Sequence, residues 1–399
     1  MNRRQRVLAA LNFEETNQVP KDLGGMRSSS ISCFNYGSLR NELNLEDRVP
    51  IVYDTGQMLA IPERDVLDAL DCDIAFIEGD ATNAYDVRNL YKPYNFNNRL
   101  KALVKDPDSF SVDSNGTVHQ YNWSTMPESS VVFNSPHAGQ KFDVNNLYLE
   151  PLDEVKEKMK KQVITDKELE KLVLQCEKAR KSTDRAIFLS GFDMRPNFVG
   201  GVANGSMICL LEPKYMHEHS KIKMEYAIKN YEKIVPVIKD YVDIILAGNN
   251  DMGTQEATIV APELSNEFFL EYFKQGNDVI HSLAPHMKTF LHSCGALYEI
   301  LDNIIDAHFD ILNPVQWTAG GHSYKEWKDK GRNKITFWGG GVDTQHVLPL
   351  KNPEFVYNHA KEIVDYMKKD GGFVFCNIHN ITAEIDPKNI VAMYKAACE

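Results

Sequence analysis

The sequence predicts an α/β chain folded as a (β/α)8 barrel of the TIM type, with an insertion in its N-terminal half. Two observations predict this fold. Short apolar, β-branched segments recur eight times along the 399 residues, and most of the intervals between them carry amphipathic helical patterns. Strands that alternate with helices in this way are typical of a parallel sheet closed into a barrel. We therefore expect one domain over residues 1–399.

Turn residues bound each predicted strand. In chain order the strand segments are 18–25, 72–79, 185–191, 242–248, 287–293, 309–316, 335–341 and 373–379. The clearest amphipathic helices between them are 266–283, 296–308 and 353–369. The spacing suits a barrel better in the second half of the chain than in the first, because one interval in the first half is far longer than a single helix.

That long interval is an excursion over residues 80–184. Within it, Ser114, Asn115 and Gly116 are turn residues between two strand-like segments, which predicts a β-hairpin. We expect the excursion to leave the barrel near its mouth and to act in part as a lid. The alternative is a small second domain that takes no part in the chemistry.

Composition limits the classes of partner. The chain carries 44 Lys and Arg residues against 56 Asp and Glu residues, which gives a net charge of −12 at pH 7. Its cations are scattered among acids, which argues against nucleic acid and against an anionic membrane surface. No apolar run reaches membrane-spanning length, and the run from Val7 to Leu11 is too short for a secretory signal. Seven cysteines, an odd number, favour free thiols and a cytoplasmic location.

The carboxyl ends of the predicted strands present two thiols and an imidazole. In a TIM barrel these ends face the active-site mouth. His292 and Cys294 end the fifth strand and share a face, because they lie two residues apart, and Cys376 lies on the eighth strand. Catalytic zinc prefers three such ligands with one open position, so we predict zinc there. The alternative is that His292 and Cys294 are buried packing residues.

Other polar and aromatic side chains follow the same strand ends. Three are predicted to orient substrate or to transfer a proton: Asp251, Asp343 and His379. Five are predicted to contact substrate: Arg27, Asn249, Gln316, Trp317 and Trp338. His379 is also a candidate for orienting a metal ligand, and Gln316 for a fourth, exchangeable ligand. The alternatives are turn or helix capping for the carboxylates and core packing for the rings.

Three segments carry a resemblance to a known family. They are "HSCGALYEILDNIIDAHFDILNPVQ", "FWGGGVDTQHVLP" and "GGFVFCNIHNITAEIDPKNIVAMYKAA". These segments resemble the uroporphyrinogen decarboxylase superfamily, particularly its cobamide-dependent methyltransferase branch and the methyltransferase components of O-demethylases. The resemblance implies catalytic zinc at His292, Cys294 and Cys376. It also implies methyl exchange with a corrinoid such as cobalamin, carried by a separate partner protein.

The same comparison disfavours porphyrinogen decarboxylation. The decarboxylases carry an MRQAGR-like motif at the first strand, and their substrate bears many carboxylates that need cationic partners. This chain has "MRSSSI", in which Arg27 remains and Ile31 stands in place of the second arginine. We therefore keep a decarboxylase function only as an alternative to methyl transfer.

The expected methyl donor is a methoxylated aromatic. Aromatic residues at predicted mouth positions favour it over a small thiol: Tyr85, Trp123, Trp317 and Trp338. The methyl group would then pass to the Co(I) corrinoid of the partner. The alternatives are methyl transfer from a methylcorrinoid to a thiol or a pterin, and a zinc-binding barrel without catalysis.

Overall fold

The computed structural model describes residues 1–121, 124–134, 143–192 and 195–399. Its strands are β1 Val52–Asp54, β2 Leu59–Ala60, β3 Ile74–Glu78, β4 Ala81–Thr82, β5 Lys92–Asn95, β6 Lys101–Val104, β7 Phe110–Val112, β8 Val118–Gln120, β9 Ser124–Met126, β10 Ala186–Ser190, β11 Ile244–Asn249, β12 Lys288–His292, β13 Ile311–Asn313, β14 Thr336–Trp338 and β15 Phe373–Val374. Its α-helices are α1 Arg3–Leu11, α2 Cys33–Glu42, α3 Arg64–Ala69, α4 Leu152–Lys161, α5 Asp166–Ser182, α6 Val202–Leu211, α7 Pro213–Ile238, α8 Pro262–Ser265, α9 Glu271–Leu283, α10 Leu301–Asp306, α11 Tyr324–Gly331, α12 Pro353–Met367 and α13 Pro387–Ala396.

A curled eight-stranded sheet forms the centre, in the order β15-β14-β13-β12-β11-β10-β3-β4. The pairs from β15 to β3 are parallel, and β4 pairs with β3 in the antiparallel sense. Residues 20–22 lie between the two sides of this sheet. The amide of Phe375 donates to Pro20 O at 2.8 Å, and the amide of Asp73 donates to Lys21 O at 2.8 Å. This segment connects β15 with β3, as the first strand of a (β/α)8 barrel does.

Each of the eight predicted strand segments overlaps one of these extended segments. The predicted TIM-barrel-like α/β fold is therefore confirmed at this level. No described helix is long and apolar enough to cross a membrane.

Strand alternation explains the two apolar faces of the sheet. In β10, Ala186 and Phe188 point to the inner cluster, whereas Ile187 and Leu189 pack against the surrounding helices. The inner rings contact each other across the barrel, with Phe188 and Phe290 centroids 4.9 Å apart in an edge-on arrangement.

Helix α1 covers the amino-terminal end of the barrel. Its Val7 and Leu11 join the inner apolar cluster, and Arg4 Nε donates to Asp243 Oδ1 at 2.7 Å. A capping box between Asn2 and Gln5 starts the helix. The open end is therefore the carboxyl-terminal one, where the predicted functional residues lie.

The excursion over residues 80–184 holds β4 to β9 and helices α4 and α5. β7 and β8 pair in the antiparallel sense, with Ser114, Asn115 and Gly116 between them. An aromatic cluster of Tyr94, Phe96, Phe110 and Phe133 packs beneath these strands. Trp123, predicted to line the mouth, lies outside the described residues. The insertion, its role as a lid and the single-domain organisation stay predictions.

Candidate metal centre at the barrel mouth

Three soft ligand side chains converge at the carboxyl end of the sheet. One ligand atom each of His292, Cys294 and His379 lies within 4.8 Å of the others, close enough for the three side chains to share one metal ion. Cys294 Sγ is 3.5 Å from His292 Nε2, and the two imidazole centroids are 6.1 Å apart. We call these three residues the ligand group. Two of them, His292 and Cys294, were predicted as ligands from their spacing.

The end of β12 places His292 and Cys294 on one side. His292 is the last residue of β12 and pairs in register with Asn249 of β11 and Asn313 of β13. The chain then turns at Gly295, which has φ of +92° and whose Cβ, if present, would lie 2.2 Å from the main-chain carbon of Gly253. Only glycine permits this approach, so the turn after Cys294 is fixed by backbone contact.

Hydrogen bonds fix the orientation of the His292 ring. Asn313 Nδ2 donates to the carbonyl oxygen of Trp338 at 2.9 Å, so Asn313 Oδ1 faces the imidazole. His292 Nδ1 lies 2.7 Å from that oxygen and therefore carries the proton. Ser28 Oγ completes the contact, donating to Asn313 Oδ1 at 2.9 Å. The lone pair of His292 Nε2 is thus directed toward Cys294, which is the arrangement that metal-binding histidines use.

The third member of the ligand group is His379, whereas the sequence predicted Cys376. Cys376 has no exposed surface and packs in the inner apolar cluster with Val374 and Trp338. Its thiol lies near Asp22 of the first strand, the neighbour of the eighth strand, and burial raises its pKa well above the ordinary value. His379 follows β15 and has a left-handed φ of +67°, and its imidazole lies at the mouth beside His292 and Cys294.

Burial sets the protonation of the ligand group. Burial, together with the neighbouring His292, lowers the pKa of His379 to about 4. Burial likewise lowers the pKa of His292, against the opposing effects of Asp251 and Asn313. Burial and the carboxylate of Asp251 raise the pKa of the Cys294 thiol well above its ordinary value. Two neutral imidazoles are therefore ready as ligands, and a cation is needed to ionise the thiol.

Asp251 and Gln316 lie directly beside the ligand group, as predicted for mouth residues. Asp251 Oδ1 accepts the amide N–H of Cys294 at 2.9 Å and is 3.8 Å from His292 Nε2. Gln316 Oε1 accepts the amide N–H of Gly295 at 3.0 Å. Both side chains therefore hold the backbone around Cys294. Their predicted roles in catalysis and substrate binding stay predictions.

The remaining predicted residues have other partners. The carbonyl oxygen of Asn249 accepts from Arg195 Nε at 2.8 Å. Asp343 caps a turn, accepting the amide N–H of Gln345 at 2.7 Å and contacting His346 Nδ1 at 2.9 Å.

The two predicted tryptophans differ in burial. Trp338 is 1% exposed inside the barrel, and its Nε1 donates to Asp22 Oδ2 at 2.9 Å. Trp317 lies edge-on to Tyr324 at 5.3 Å and donates to Gly340 O at 2.8 Å. Trp338 follows the core-packing alternative, because strand alternation turns it inward with Thr336. Trp317 is only partly buried, and its predicted contact with substrate stays a prediction.

Arg27 lies in an ionic network on the other side of the mouth. It pairs with Glu78 and, at 2.9 Å, with Asp54 Oδ2. Glu78 Oε2 also accepts from Tyr53 Oη at 2.6 Å and from Ser190 Oγ at 2.8 Å. Burial acts to raise the pKa of Glu78, but Arg27 and these hydroxyls act more strongly in the opposite direction. The pKa of Glu78 is therefore lowered. Sequence reasoning missed this network. Glu78 is the last residue of β3, and residues at the carboxyl ends of barrel strands face the mouth, so its position could have been predicted.

Comparison with known proteins places the chain in a family. The family model described as Uroporphyrinogen decarboxylase (URO-D) matches residues 200–399, which is half of the chain and contains the ligand group. The chain belongs to the URO-D family. No curated protein matches it.

A solved methyltransferase structure shares the fold of this URO-D family chain at low identity. A methyltransferase from Methanosarcina mazei is 14% identical with a TM-score of 0.52, over 100% of this chain and 98% of that one. At this identity the similarity concerns the fold alone. Two xylanases have TM-scores too low to support an inference. The endo-1,4-beta-xylanase from Caldicellulosiruptor owensensis has a TM-score of 0.32 at 9% identity, and the match covers 55% of this chain and 80% of that one. The GH10 xylanase from Thermobacillus composti has a TM-score of 0.30 at 10% identity, and the match covers 59% of this chain and 83% of that one.

Proposed function

We propose that the protein is a zinc-dependent methyltransferase of a corrinoid-dependent demethylating system. It moves a methyl group from an aryl methyl ether to the Co(I) corrinoid of a partner protein. The observation that carries this proposal is the ligand group, in which His292, Cys294 and His379 converge at the barrel mouth. Two imidazoles and a thiol suit zinc, and three protein ligands leave the fourth position for a reactant. The fold shared with a structure described as a methyltransferase supports the proposal.

The donor set fits the metal. His292 offers Nε2 because Asn313 holds the proton on Nδ1, and the two imidazoles are neutral. Bound there, zinc supplies Lewis acidity toward an ether oxygen or lowers the pKa of a thiol. The chain itself supplies the position of the ligands and the exclusion of water around them. The chemistry of the corrinoid belongs to that cofactor.

Neighbouring residues position the reactants. Asp251 holds the Cys294 amide, and its side chain is 55% exposed toward the mouth. We assign Asp251 to orienting the donor or holding a proton near the leaving oxygen. Gln316 fixes the Gly295 amide and thereby the direction of the Cys294 side chain. A loss of either residue should disturb the geometry of the ligand group without removing a ligand.

Porphyrinogen decarboxylation is the weaker candidate despite the family name. Ile31, which stands in place of the second arginine, is fully buried in the core. Arg27 is already paired with Glu78 and Asp54. A substrate with many carboxylates would therefore lack cationic partners at this position. Methyl transfer from a methylcorrinoid to a thiol or a pterin uses the same ligand group and is separated by acceptor assays. A zinc-binding barrel without catalysis would bind the metal and show no turnover.

The test compares the purified protein with Cys294→Ala and, as a control, Cys398→Ala, whose thiol contacts Lys21 away from the ligand group. We expect about one equivalent of zinc in the parent and the control, because the described residues hold one three-ligand group. Cys294→Ala should lose zinc, and methyl transfer from a methoxylated aromatic to cob(I)alamin should fall at least about a hundredfold, or roughly 3 kcal/mol. Donor affinity measured by calorimetry should change much less, because the interaction acts when the methyl–oxygen bond breaks.

A folded, metal-free Cys294→Ala protein that transfers methyl groups at the parental rate would contradict the proposal. Transfer from methylcobalamin to a thiol, without any reaction of the aryl ether, would replace it with the thiol alternative. Zinc binding with no transfer to or from any corrinoid would leave a non-catalytic zinc protein.

A further inference from the structure

A fully buried carboxylate, Asp22, lies in the segment of residues 20–22 that stands as the first barrel strand. Burial raises the pKa of this carboxyl to about 6, and hydrogen bonds from the hydroxyl of Ser29, the indole of Trp338 and the amide of Gly25 act in the opposite direction. The groups that lower the pKa are hydrogen-bond donors rather than cations. At neutral pH the carboxyl is therefore ionised, and both of its oxygens accept hydrogen bonds.

One oxygen of Asp22 holds the loop that carries Ser28. Asp22 Oδ1 accepts the amide N–H of Gly25 at 2.7 Å. A Cβ on Gly25 would lie 2.5 Å from the same oxygen, so glycine permits this close approach. The loop continues to Ser28, whose Oγ donates to Asn313 Oδ1 at 2.9 Å and lies 3.2 Å from His292 Nδ1. The first oxygen is thus linked to the contact that orients His292.

The other oxygen of Asp22 holds the indole of Trp338. Asp22 Oδ2 accepts from Trp338 Nε1 at 2.9 Å, and the indole packs edge-on against Phe290 with ring centroids 5.4 Å apart. The carbonyl oxygen of the same tryptophan accepts from Asn313 Nδ2 at 2.9 Å, which directs Asn313 Oδ1 toward His292. Because the inner cluster is closely packed, a displaced indole would also displace this carbonyl.

Both links end at the hydrogen bond between Asn313 and His292. We propose that Asp22 is a positioning residue for the ligand group, acting through Ser28 and Trp338 to keep the proton of His292 on Nδ1 and its Nε2 lone pair toward Cys294. This proposal rests on the proposed function and adds a charged support beneath the mouth. Hydrogen bonds behind a metal-binding histidine fix its tautomer and raise its affinity for the metal.

The experiment uses the full-length Asp22→Asn variant. Asparagine keeps the size of the side chain but replaces one acceptor oxygen with an N–H donor, which then faces either the Gly25 amide or the Trp338 indole. One of the two links must therefore break. We expect zinc affinity, measured by competition with a chromophoric chelator, to fall about tenfold, or about 1.4 kcal/mol. The absorption spectrum of protein loaded with cobalt(II) should also change, because it reports the geometry of the ligands.

Nitrogen NMR of the metal-free protein measures the tautomer of His292 directly. We expect the proton on Nδ1 in the parent and a mixture of both tautomers in Asp22→Asn. Trp338→Phe is the second variant, because it keeps a ring in the inner cluster and removes only the donor to Asp22. It should lower zinc affinity at least about threefold and shift the tautomer in the same direction. If Asp22→Asn does not fold, a parental tautomer and parental zinc affinity in Trp338→Phe would overturn the proposal.

The matched control is Asp243→Asn at the closed, amino-terminal end of the barrel. Asp243 is also buried, and its two oxygens accept from Arg4 Nε at 2.7 Å and from the amide N–H of Ile187 at 2.9 Å. Both aspartate variants should unfold at lower denaturant concentration, but Asp243→Asn should keep the parental zinc affinity, cobalt spectrum and tautomer. An equal loss of zinc affinity in the control would show that destabilisation alone causes it, which would overturn the proposal.

The tautomer of His292 separates this proposal from the proposed function. If Asp22→Asn changes the tautomer but the parent binds no zinc or transfers no methyl group, the positioning role of Asp22 holds and the proposed function fails. If the parent transfers methyl groups with zinc but a folded Asp22→Asn protein keeps the parental tautomer and zinc affinity, the positioning role fails and the methyltransferase proposal stands.

Discussion

The two sides of the barrel mouth satisfy their polar groups in opposite ways. Around β12 and β13, neutral hydrogen bonds fix the ligand group, as in the contact of Asn313 with His292 at 2.7 Å. Around β3, ion pairs join Arg27 to Glu78 and Asp54. The first side therefore presents lone pairs and an un-ionised thiol, which gain from a cation. The second side pairs its charged groups with one another, with the single cation Arg27 between two carboxylates.

The pKa values of one thiol and one carboxyl show this difference. Burial acts on both Cys294 and Glu78 and disfavours their charged forms. The charged group that acts on Cys294 is the carboxylate of Asp251, which raises the pKa of the thiol further. Glu78 has Arg27 beside it, and its pKa falls below the ordinary value. A metal ion bound at the ligand group would lower the pKa of the Cys294 thiol, as Arg27 lowers the pKa of Glu78.

The largest expected effect distinguishes the two candidates for the third ligand. His379→Ala removes a side chain of the ligand group, whereas Cys376→Ser changes a thiol in the inner apolar cluster. We expect His379→Ala to lower zinc affinity by more than about a hundredfold, because loss of a ligand should exceed the 10–100-fold cost of losing a supporting hydrogen bond. Cys376→Ser should change zinc affinity less than about threefold, while its buried hydroxyl costs about 1–3 kcal/mol of unfolding free energy. Competition with a chromophoric chelator measures the affinities.

The reverse result would restore the sequence-based assignment. If Cys376→Ser lost zinc and His379→Ala retained it, the metal would lie deeper in the barrel than the ligand group. The proposed open position at the mouth would then have to be abandoned.

The second prediction concerns the support of His292. Asn313→Ala removes the acceptor that holds the proton on Nδ1, so the ring can change tautomer and turn away from Cys294. We expect zinc affinity to fall about 10–100-fold. The matched control is Asn277→Ala, a fully buried asparagine whose Nδ2 donates to Ala307 O at 2.7 Å. Both variants should lose stability by about 1–3 kcal/mol, but the control should keep the parental zinc affinity. Equal zinc affinity in the two variants would show that Asn313 does not orient the ligand.

Local sequence rules predicted the strands and part of the ligand group. His292 and Cys294 could be paired from sequence because a period of two is a property of the strand itself. His379 could not be assigned as a ligand, because its position depends on a left-handed residue beyond the end of β15. The aromatic prediction for Trp338 did not consider strand alternation, which turns the ring inward at that position.

The excursion is less predictable for a different reason. Its turn at Ser114, Asn115 and Gly116 is a local signal. The position of the excursion strands against the rest of the chain depends on contacts between distant segments, such as the bridge between Ile51 and Leu103, which no periodicity encodes. The sequence predicted this region as an excursion near the mouth that acts in part as a lid, with a small second domain as the alternative.

The smallest expected effect tests whether the two sides of the mouth are independent. Arg27→Met removes the cation beside Glu78, so burial acts on that carboxyl without its main opposing charge. The lowered pKa of Glu78 means that its ion pair contributes stability above the ordinary pKa of a glutamate, near 4.3, and loses it as pH falls through the lowered pKa. We therefore expect Arg27→Met to be less stable by about 1–2 kcal/mol at pH 7, after allowance for the half-exposed arginine, and by much less below about pH 4.

Denaturant unfolding at several pH values measures this difference, with Arg48→Met as the control. Arg48 pairs with the exposed Glu46 at 2.7 Å, so its loss should cost less than about 0.5 kcal/mol at pH 7. Zinc affinity should stay within about threefold of the parent in both variants, since neither arginine contacts the ligand group. A loss of zinc in Arg27→Met would show that the ionic network supports His292 through Ser28, and the two sides of the mouth would then be one coupled unit. A stability difference that did not narrow at low pH would mean that Arg27 acts by packing rather than by neutralising Glu78.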